Sequence, residues 1–492
     1  MADHLFSMEE VLGILNPIVG KTLGEVDRNN VFNKTENNPK ITGIAGDVIE
    51  QSVFGYPADV KQEADLLIDD RPVELKTTGV KRVSSRNKSG YAIEAKEPMS
   101  ITAVSLDKIA QQDDFYDSTL WHKLEELLLV YYLYDSDKTV PASEYFHFPI
   151  QGFQFFKFSK EDQIVLENDW RIVRDFVRNV EKKNLNKQEE FPKISKLRTE
   201  MSFMDTAPKF PNSPRFRLTK NFVTTIVQEH FGKEFQPLLP DKKFSNLSEL
   251  KRILSNLSKE FIGKTIKEIA EFLDVQLELS KNGKVSKSIS SRILAKMFSN
   301  QANKIEDILL FHKFGFKSKT IVLTDKNKRT EDTKLLMVDF DEWLDNDIDF
   351  EYTSIRDFFA EQRFLFSVFK EGSTGLYEDN IFLGFKIISF DDDFIERKVK
   401  PVWEQVRYLI KNNKLELVIE KDKNGMPKVN NNGIIIEAPN FPKSRDYIVF
   451  LRGSGKDSTA KPLEINGLKM YHQFVWIKGS YLAEMLNATE FL

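Results

Sequence analysis

Glu63-Ala64-Asp65-Leu66-Leu67-Ile68-Asp69-Asp70-Arg71-Pro72-Val73-Glu74-Leu75-Lys76 is the stretch on which the reading of this chain turns. Apolar residues flank the polar cluster Asp69-Asp70-Arg71-Pro72, the pattern of two short strands joined by a turn. Asp65 falls on the first strand, Glu74 and Lys76 on the second. Strand side chains alternate between faces, so Glu74 and Lys76 share one face while Leu75 turns into the core. The hairpin brings Asp65 to the same end of that face. Two carboxylates and a lysine on a rigid sheet suit phosphodiester hydrolysis. The carboxylates hold Mg²⁺, and the ammonium steadies or deprotonates the attacking water.

Glu-x-Lys by itself is a common spacing in a chain with 30% charged residues, and a solvated hairpin face would also produce it. The neighbourhood adds a third acid. Gly46 to Gly55 reads as a helix with Glu50 beside an apolar stripe of Val48, Ile49, Val53 and Phe54. Together with Gly20-Lys21-Thr22-Leu23 before it and Val73-Glu74-Leu75-Lys76-Thr77 after it, this ordered set resembles the MutH/Sau-type family of DNA endonucleases. The resemblance extends over nearly the whole chain and is strongest to the tandem, restriction-enzyme branch.

That resemblance implies metal binding by Glu50, Asp65 and Glu74, with Lys76 as the active-site lysine and Lys123, in Leu120-Trp121-His122-Lys123, as a further functional lysine. Two departures stand out. Ala64 occupies the position before the aspartate where the family usually has Pro, and the gap from aspartate to glutamate is longer than usual. Asp69 and Asp70 therefore stay open as alternative ligands, ranked below Asp65 because a turn tip is solvated.

At 492 residues the chain exceeds one ordinary core, so two domains are expected. It has no cysteine, which excludes disulfides, zinc–thiolate sites and cysteine nucleophiles. Its six histidines form no metal-binding pair at helical spacing, and no Walker-type phosphate loop is present. The N-terminus has no basic region leading into an apolar run, and the longest apolar or aromatic run, Leu127 to Tyr134, is too short to span a bilayer. That run reads as a buried strand, and the protein as a soluble, cytoplasmic protein of a prokaryote.

The net charge of −4 argues mildly against a nucleic-acid partner, but the binding field is local. Arg71 to Lys88 carries six basic residues against Glu74 alone. Lys193 to Lys220 carries seven against two acids, and Lys313 to Arg329 six against Asp325. An acidic stretch from Asp339 to Glu351 balances them. Three basic segments favour a polyanion partner, double-stranded DNA. The 40 phenylalanines fall at core-like spacings, as in Phe358, Phe359, Phe364 and Phe366, and read as packing rather than base stacking.

The chain also echoes itself. Gly20-Lys21-Thr22-Leu23-Gly24-Glu25-Val26 recurs as Gly263-Lys264-Thr265-Ile266-Lys267-Glu268-Ile269. Trp170-Arg171-Ile172-Val173-Arg174 returns as Trp403-Glu404-Gln405-Val406-Arg407, and Phe216 to Lys220 as Phe474 to Lys478. Three echoes in one order suggest a duplicated fold: 1–230 catalytic, 231–245 a linker, 246–492 a second copy. Aligning Phe54 with Phe298 puts Leu294 where Glu50 stands, and aligning Lys76-Thr77 with Lys319-Thr320 puts Lys317 in place of Glu74. Leucine cannot ligate Mg²⁺ and lysine repels it, so the second copy is expected to be catalytically dead. The resemblance makes it a DNA-binding regulatory module.

Base reading calls for Arg, Lys, Asn or Gln at a major-groove edge. The family carries an arginine loop shortly before its last Phe-x-Leu-x-Lys-type element, which points to Arg198 in the first half and Arg452 and Lys456 in the second. Either arginine fits base reading or a plain phosphate contact. Arg215, Arg217 and Lys220 are the remaining candidate DNA contacts. The expected fold is α/β: two tandem restriction-endonuclease-like domains, each a mixed central sheet flanked by helices. The expected function is a Mg²⁺-dependent type II restriction endonuclease. The resemblance implies a GATC target, 5′ overhangs, a cognate methyltransferase and a possible dimer on DNA. The alternatives are a mismatch-repair nickase and a DNA-binding protein without catalysis.

Overall fold

The computed structural model describes residues 4–492 except 40, 57–63, 85–90, 137–138, 208–212, 280–282, 325–330, 423, 430–432, 434 and 456–460. Parts of all three basic segments, and Lys456, lie outside the described residues. The chain divides into two compact units, and the division is not the linear one expected. The first takes Met1–Ile253 together with Ala295–Phe316, and the second takes Leu254–Leu294 with Lys317–Leu492. Packing explains the difference. Lys313 makes a buried ion pair with Asp162 at 2.8 Å, and Phe314 packs edge-on against Phe203, so 295–316 belongs to the first core.

In the first unit the strands are β1 (Leu5–Phe6), β2 (Leu66–Ile68), β3 (Arg71–Ser84), β4 (Tyr91–Ala95), β5 (Met99–Ala103), β6 (Leu127–Leu133), β7 (Ile150–Phe156), β8 (Met204–Asp205) and β9 (Arg215–Leu218). The main sheet runs β1-β2-β3-β6-β7, with β4 paired to the far end of β3. It is mixed: β3 lies parallel to β6 and antiparallel to β2 and β4. Strand β6 is the apolar run from Leu127 without its last residue, Tyr134, and every residue in it is buried, as a strand covered on both faces requires. A second small sheet, β5-β9-β8, lies in the same unit.

The β2–β3 hairpin forms with a tighter turn than its sequence suggests. Only Asp69 and Asp70 make the turn, both at positive φ (47° and 62°), the geometry of a two-residue I′ turn in which aspartate is tolerated. Arg71 and Pro72 already pair within β3, with Arg71 opposite Ile68 and Pro72 opposite Leu67. Asp65 sits one residue ahead of β2 rather than inside it.

The first-unit helices that matter for the site are α1 (Leu23–Val26), α2 (Ile44–Val48), α3 (Thr119–His122), α4 (Lys160–Lys182) and α5 (Lys220–His230). Helix α2 continues as a π-helical turn over Ile49–Phe54, a widening that often marks functional positions. Val48 and Ile49 pack into one core with Leu66, Ile68, Val73, Leu75 and Leu128.

The second unit contains β10 (Phe316–Leu323), β11 (Thr333–Met337), β12 (Arg363–Lys370), β13 (Ile381–Ser389), β14 (Leu417–Ile419), β15 (Glu437–Pro439), β16 (Val449–Gly453), β17 (Leu463–Ile465), β18 (Leu468–Met470) and β19 (Gln473–Ile477). They form sheets β10-β12-β13 and β11-β19-β16, with β14-β15 and β17-β18 as separate pairs. Its helices include α6 (Ile266–Phe272), α7 (Ile289–Lys296, whose last two residues fall to the first unit), α8 (Lys400–Lys411) and α9 (Gly479–Ala488).

The first two sequence echoes have the same local geometry in both units; the third does not, since Phe216 is buried and Phe474 is only half-buried. Gly20 (φ 87°) donates to the Ile150 carbonyl at 2.8 Å, and Ile150 donates back to Lys21. Gly263 (φ 83°) donates to Phe382 at 2.9 Å, and Phe382 back to Lys264. Thr22 with Glu25, and Thr265 with Glu268, form reciprocal capping boxes on the helices that follow. The Arg174 guanidinium lies 4.7 Å from the Trp170 ring centre, and that of Arg407 4.4 Å from Trp403. Both β6–β7 and β12–β13 are antiparallel pairs with one register shift. Among the described residues no helix is long and apolar enough to cross a membrane.

Candidate active site

The site is built where β3, the π-helical turn and the residue after α3 meet. Glu74 lies on β3 with its backbone N–H donating to the Glu126 carbonyl at 2.9 Å, which ties β3 to the start of β6. Its side chain is 1% exposed, and a bare carboxylate so deeply buried would be strongly disfavoured. Two lysines compensate. Lys76 Nζ lies 2.6 Å from Glu74 Oε1, and Lys123 Nζ reaches both oxygens at 3.0 and 2.8 Å. Lys123 is itself buried, just past α3, whose first turn is capped by the Ser118 hydroxyl on the Trp121 amide.

Asp65 reaches across the hairpin: its Oδ2 accepts the Leu75 amide at 2.9 Å. Burial and the neighbouring Glu74 charge push its carboxyl up, while Lys76, Lys123 and the Leu75 amide pull it down. Glu50, in the π-helical turn, is pushed up to about 7, first by burial and then by the Asp65, Asp47 and Glu74 charges, with Lys76 opposing. These shifts place the three carboxylates, Glu50, Asp65 and Glu74, within one another's field, together with Lys76. Asp69 and Asp70 are exposed at the turn, and Asp69 Oδ1 accepts the Met8 amide at 3.3 Å.

Three further residues were missed by the sequence reading. Tyr56 is buried, its hydroxyl has no hydrogen-bond partner among the described residues, and burial with the Glu50, Asp65 and Glu74 charges raises its pKa well above the usual phenol range. His4 Nδ1 lies 2.8 Å from the Asp65 carbonyl, and its ring stacks on Tyr56 with centres 4.2 Å apart. Glu126, also buried, pairs with Arg71 and Lys157, each at 3.0 Å, where the ends of β3, β6 and β7 come together. Only tertiary structure brings these residues to the hairpin, so no local spacing signals them.

One buried and two half-buried carboxylates, with the unpartnered buried Tyr56 hydroxyl, fit a hard divalent cation in kind, since such ions take oxygen ligands. In the arrangement described, however, Glu74 is occupied by two ammonium groups and Asp65 by an amide. Among the described residues no three acidic or imidazole side chains converge closely enough to form a closed ligand set. A cation reaching Glu74 would have to displace the Lys76 ammonium from Oε1.

The candidate DNA-contacting residues separate into groups. Arg215 is exposed on β9, and Lys220 is half-buried at the first position of α5. Arg217 is not free to read a base as it stands: it makes a bidentate pair with Asp205, both bonds 2.8 Å. Arg198, expected on a loop, ends the 3-10 helix Phe191–Thr199 and is 6% exposed, so it presents no guanidinium at the surface. Arg452 lies within β16 rather than in a loop, bonded to Asp332 at 2.7 Å with its guanidinium 4.9 Å from the Trp476 ring centre. Leu294 is buried in α7, and Lys317 is exposed near the start of β10.

Residues 54–169 match the family model described as DNA mismatch repair enzyme MutH. The matched segment holds Asp65, Glu74, Lys76 and Lys123, and Glu50 lies four residues ahead of it. No protein with a curated description matches the chain. The match and the mixed sheet support a MutH-like, restriction-endonuclease-type fold in the first half, with DNA endonuclease activity. Nucleases of this kind act on DNA and typically use a divalent metal.

Proposed function

We propose that this chain is a Mg²⁺-dependent type II restriction endonuclease making sequence-specific double-strand breaks, at GATC with 5′ overhangs. The observation that carries the reading is the burial of Glu74 between Lys76 and Lys123, with Asp65 bonded to the neighbouring Leu75 amide, all within the MutH-matching segment. Asp65 and Glu74 would hold Mg²⁺, with Glu50 as a third oxygen donor. When bound, Mg²⁺ polarises the scissile phosphate and acidifies a water. Lys76, the more exposed of the two lysines, donates a hydrogen bond to the attacking water or a non-bridging phosphate oxygen. Lys123 stays behind Glu74 and keeps its carboxylate oriented. Tyr56, held protonated by its surroundings, offers a donor beside the carboxylates.

The second unit, on this reading, is a catalytically dead copy that binds a second DNA site as an effector. The matched capping boxes, glycine turns and Arg–Trp stacks support the duplication, and Leu294 and Lys317 stand where acids are needed. The setting that goes with this role is the prokaryotic cytoplasm, with a cognate methyltransferase protecting host sites and a dimer forming on DNA.

The description of the matching family favours one second reading, a mismatch-repair enzyme that nicks a single strand. Incubating the purified chain with supercoiled plasmid and phage DNA separates the two. Discrete linear fragments that require Mg²⁺ and disappear with EDTA support restriction, whereas open circles that never linearise support nicking. Intact but retarded DNA overturns both. Sequencing the fragment ends reports the target and the cut position together.

A further inference from the structure

The second unit contains a half-open cleft of about 490 Å³, lined by Lys287, Ser291, Lys319, Thr320, Thr324 and Tyr377 among others. Lys319 and Thr320 lie on β10, the strand whose Lys-Thr pair echoes Lys76-Thr77 on β3. Lys287 lies two residues ahead of α7 and Ser291 in its first turn, in the chain position that α2 and Glu50 hold in the first unit on the alignment of the two halves. The Tyr377 hydroxyl bonds Ser290 Oγ at 2.9 Å and reaches the Lys287 carbonyl at 3.4 Å, which anchors the opposite wall to the helix start. Burial keeps that phenol protonated. On the alignment of the two halves, the cleft is lined by the segments that correspond to those holding Glu50 and Lys76, with lysines in place of acids. Among the described residues, two lysines and several hydroxyl side chains line it together with one carboxylate, Glu331.

This chemistry does not suit a divalent cation, which needs several carboxylate or carbonyl oxygens. Nor does it suit an apolar ligand, because hydroxyl and ammonium donors dominate the lining. It suits an oxyanion, which lysine ammonium and hydroxyl groups receive directly. We infer that the cleft binds a phosphodiester group of DNA without a metal, using Lys287 and Lys319 where the first unit gathers carboxylates around a cation. The inference rests on the reading of the second unit as a copy of the first, and it differs from that reading in predicting binding with all metal removed. In the first unit three carboxylates repel a phosphate unless a cation intervenes. In the second no intermediary is needed.

The test uses the full chain carrying Glu74→Gln, which prevents cutting, with a short fluorescent duplex in EDTA and anisotropy as the readout. The parent should bind, and its affinity should fall with salt. Replacing Lys287 and Lys319 together by Ala should weaken binding about tenfold or more and flatten the log–log salt slope by about 1–2, the loss of one or two phosphate contacts. The Lys→Arg pair should keep most of the affinity. No duplex binding by the parent in EDTA, or equal binding by the Ala pair, overturns the inference. Stabilisation by inorganic phosphate in a thermal melt, without duplex binding, overturns it as a DNA site. Should the double variant fail to melt cooperatively, Lys287→Ala alone serves, since that residue is exposed ahead of α7. A several-fold loss supports the site and no loss removes it. Cleavage of phage DNA by the unmutated chain in Mg²⁺ judges the nuclease reading separately.

Discussion

Glu74 is the residue on which the first unit's chemistry turns, because two lysines are organised around its carboxylate. Glu74→Ala and Asp65→Ala should abolish cleavage while leaving duplex binding largely intact, since metal ligands and phosphate-contacting cations are separate groups. Gel retardation beside a cleavage assay checks this, and normal cutting by Asp65→Ala would move the ligand assignment elsewhere. Lys123→Ala should also abolish cleavage, and should lower the melting temperature as well, because it leaves Glu74 buried with one partner fewer. Glu50 makes a pH prediction. Its folded-state value near 7 lies above the 4.5 of an unperturbed glutamate, so ionising it opposes folding. The penalty is absent below about pH 4.5, grows as pH rises, and is fully present above about 7. Glu50→Gln should therefore raise the melting temperature of the metal-free protein at pH 8 and leave it unchanged near pH 4. Mg²⁺ should stabilise the unmutated protein more at pH 8 than at pH 6, because protons compete for the same oxygens. A Glu50→Gln gain of equal size at both pH values would remove Glu50 from the buried carboxylate group.

At the scale of elements, the π-helical turn and the two-residue hairpin turn set the site. The turn places Glu74 opposite the end where Asp65 crosses to the Leu75 amide, and a one-residue slip would send Glu74 into the apolar layer. Asp69 and Asp70 sit at positive φ, so Asp70→Gly should be tolerated or mildly stabilising, whereas Asp70→Val should be destabilising, as a urea melt would read. The buried Lys313–Asp162 pair fastens segment 295–316 to the start of α4. Lys313→Ala leaves a buried aspartate alone and should cost about 3–5 kcal/mol of stability. A loss below 1 kcal/mol in denaturant titration would show that the pair is not what holds the segment. The β6 run and the alternation through Leu75 were legible from local pattern. The π-turn, the two-residue turn and the burial of Arg198 were not, since each depends on what packs against the segment.

At the scale of the molecule, the two units interleave in sequence. A fragment cut at 246 carries 295–316 away from the first unit, exposing Phe311 and Phe314, both buried in the whole chain. That fragment should bind a hydrophobic dye and melt less cooperatively than the full protein. A sharp, dye-free melt would show that 295–316 belongs to the second unit. If the second unit binds effector DNA, a plasmid with two target sites should be cut faster than one with a single site, and a short target duplex added in trans should rescue the slower plasmid. Linkage demands this of any site that binds DNA better in the active conformation. Equal rates, with no response to added duplex, would leave the second unit a clamp or a support.

What the sequence determined by itself is local. It specifies the hairpin with Glu74 and Lys76 on one face, the buried strand from Leu127, and the capping boxes repeated at Thr22 and Thr265. Strand alternation, unbroken apolarity and capping spacing act over a few residues and are written directly in the order of side chains. The tertiary structure decided what those elements meet. It brought His4, Tyr56, Glu126 and Lys157 to the site, turned Arg198 inward, tied Arg217 to Asp205, and gave 295–316 to the first unit. These outcomes depend on burial and on partners tens to hundreds of residues away, where charge is satisfied or left unpaired by packing that no local spacing records.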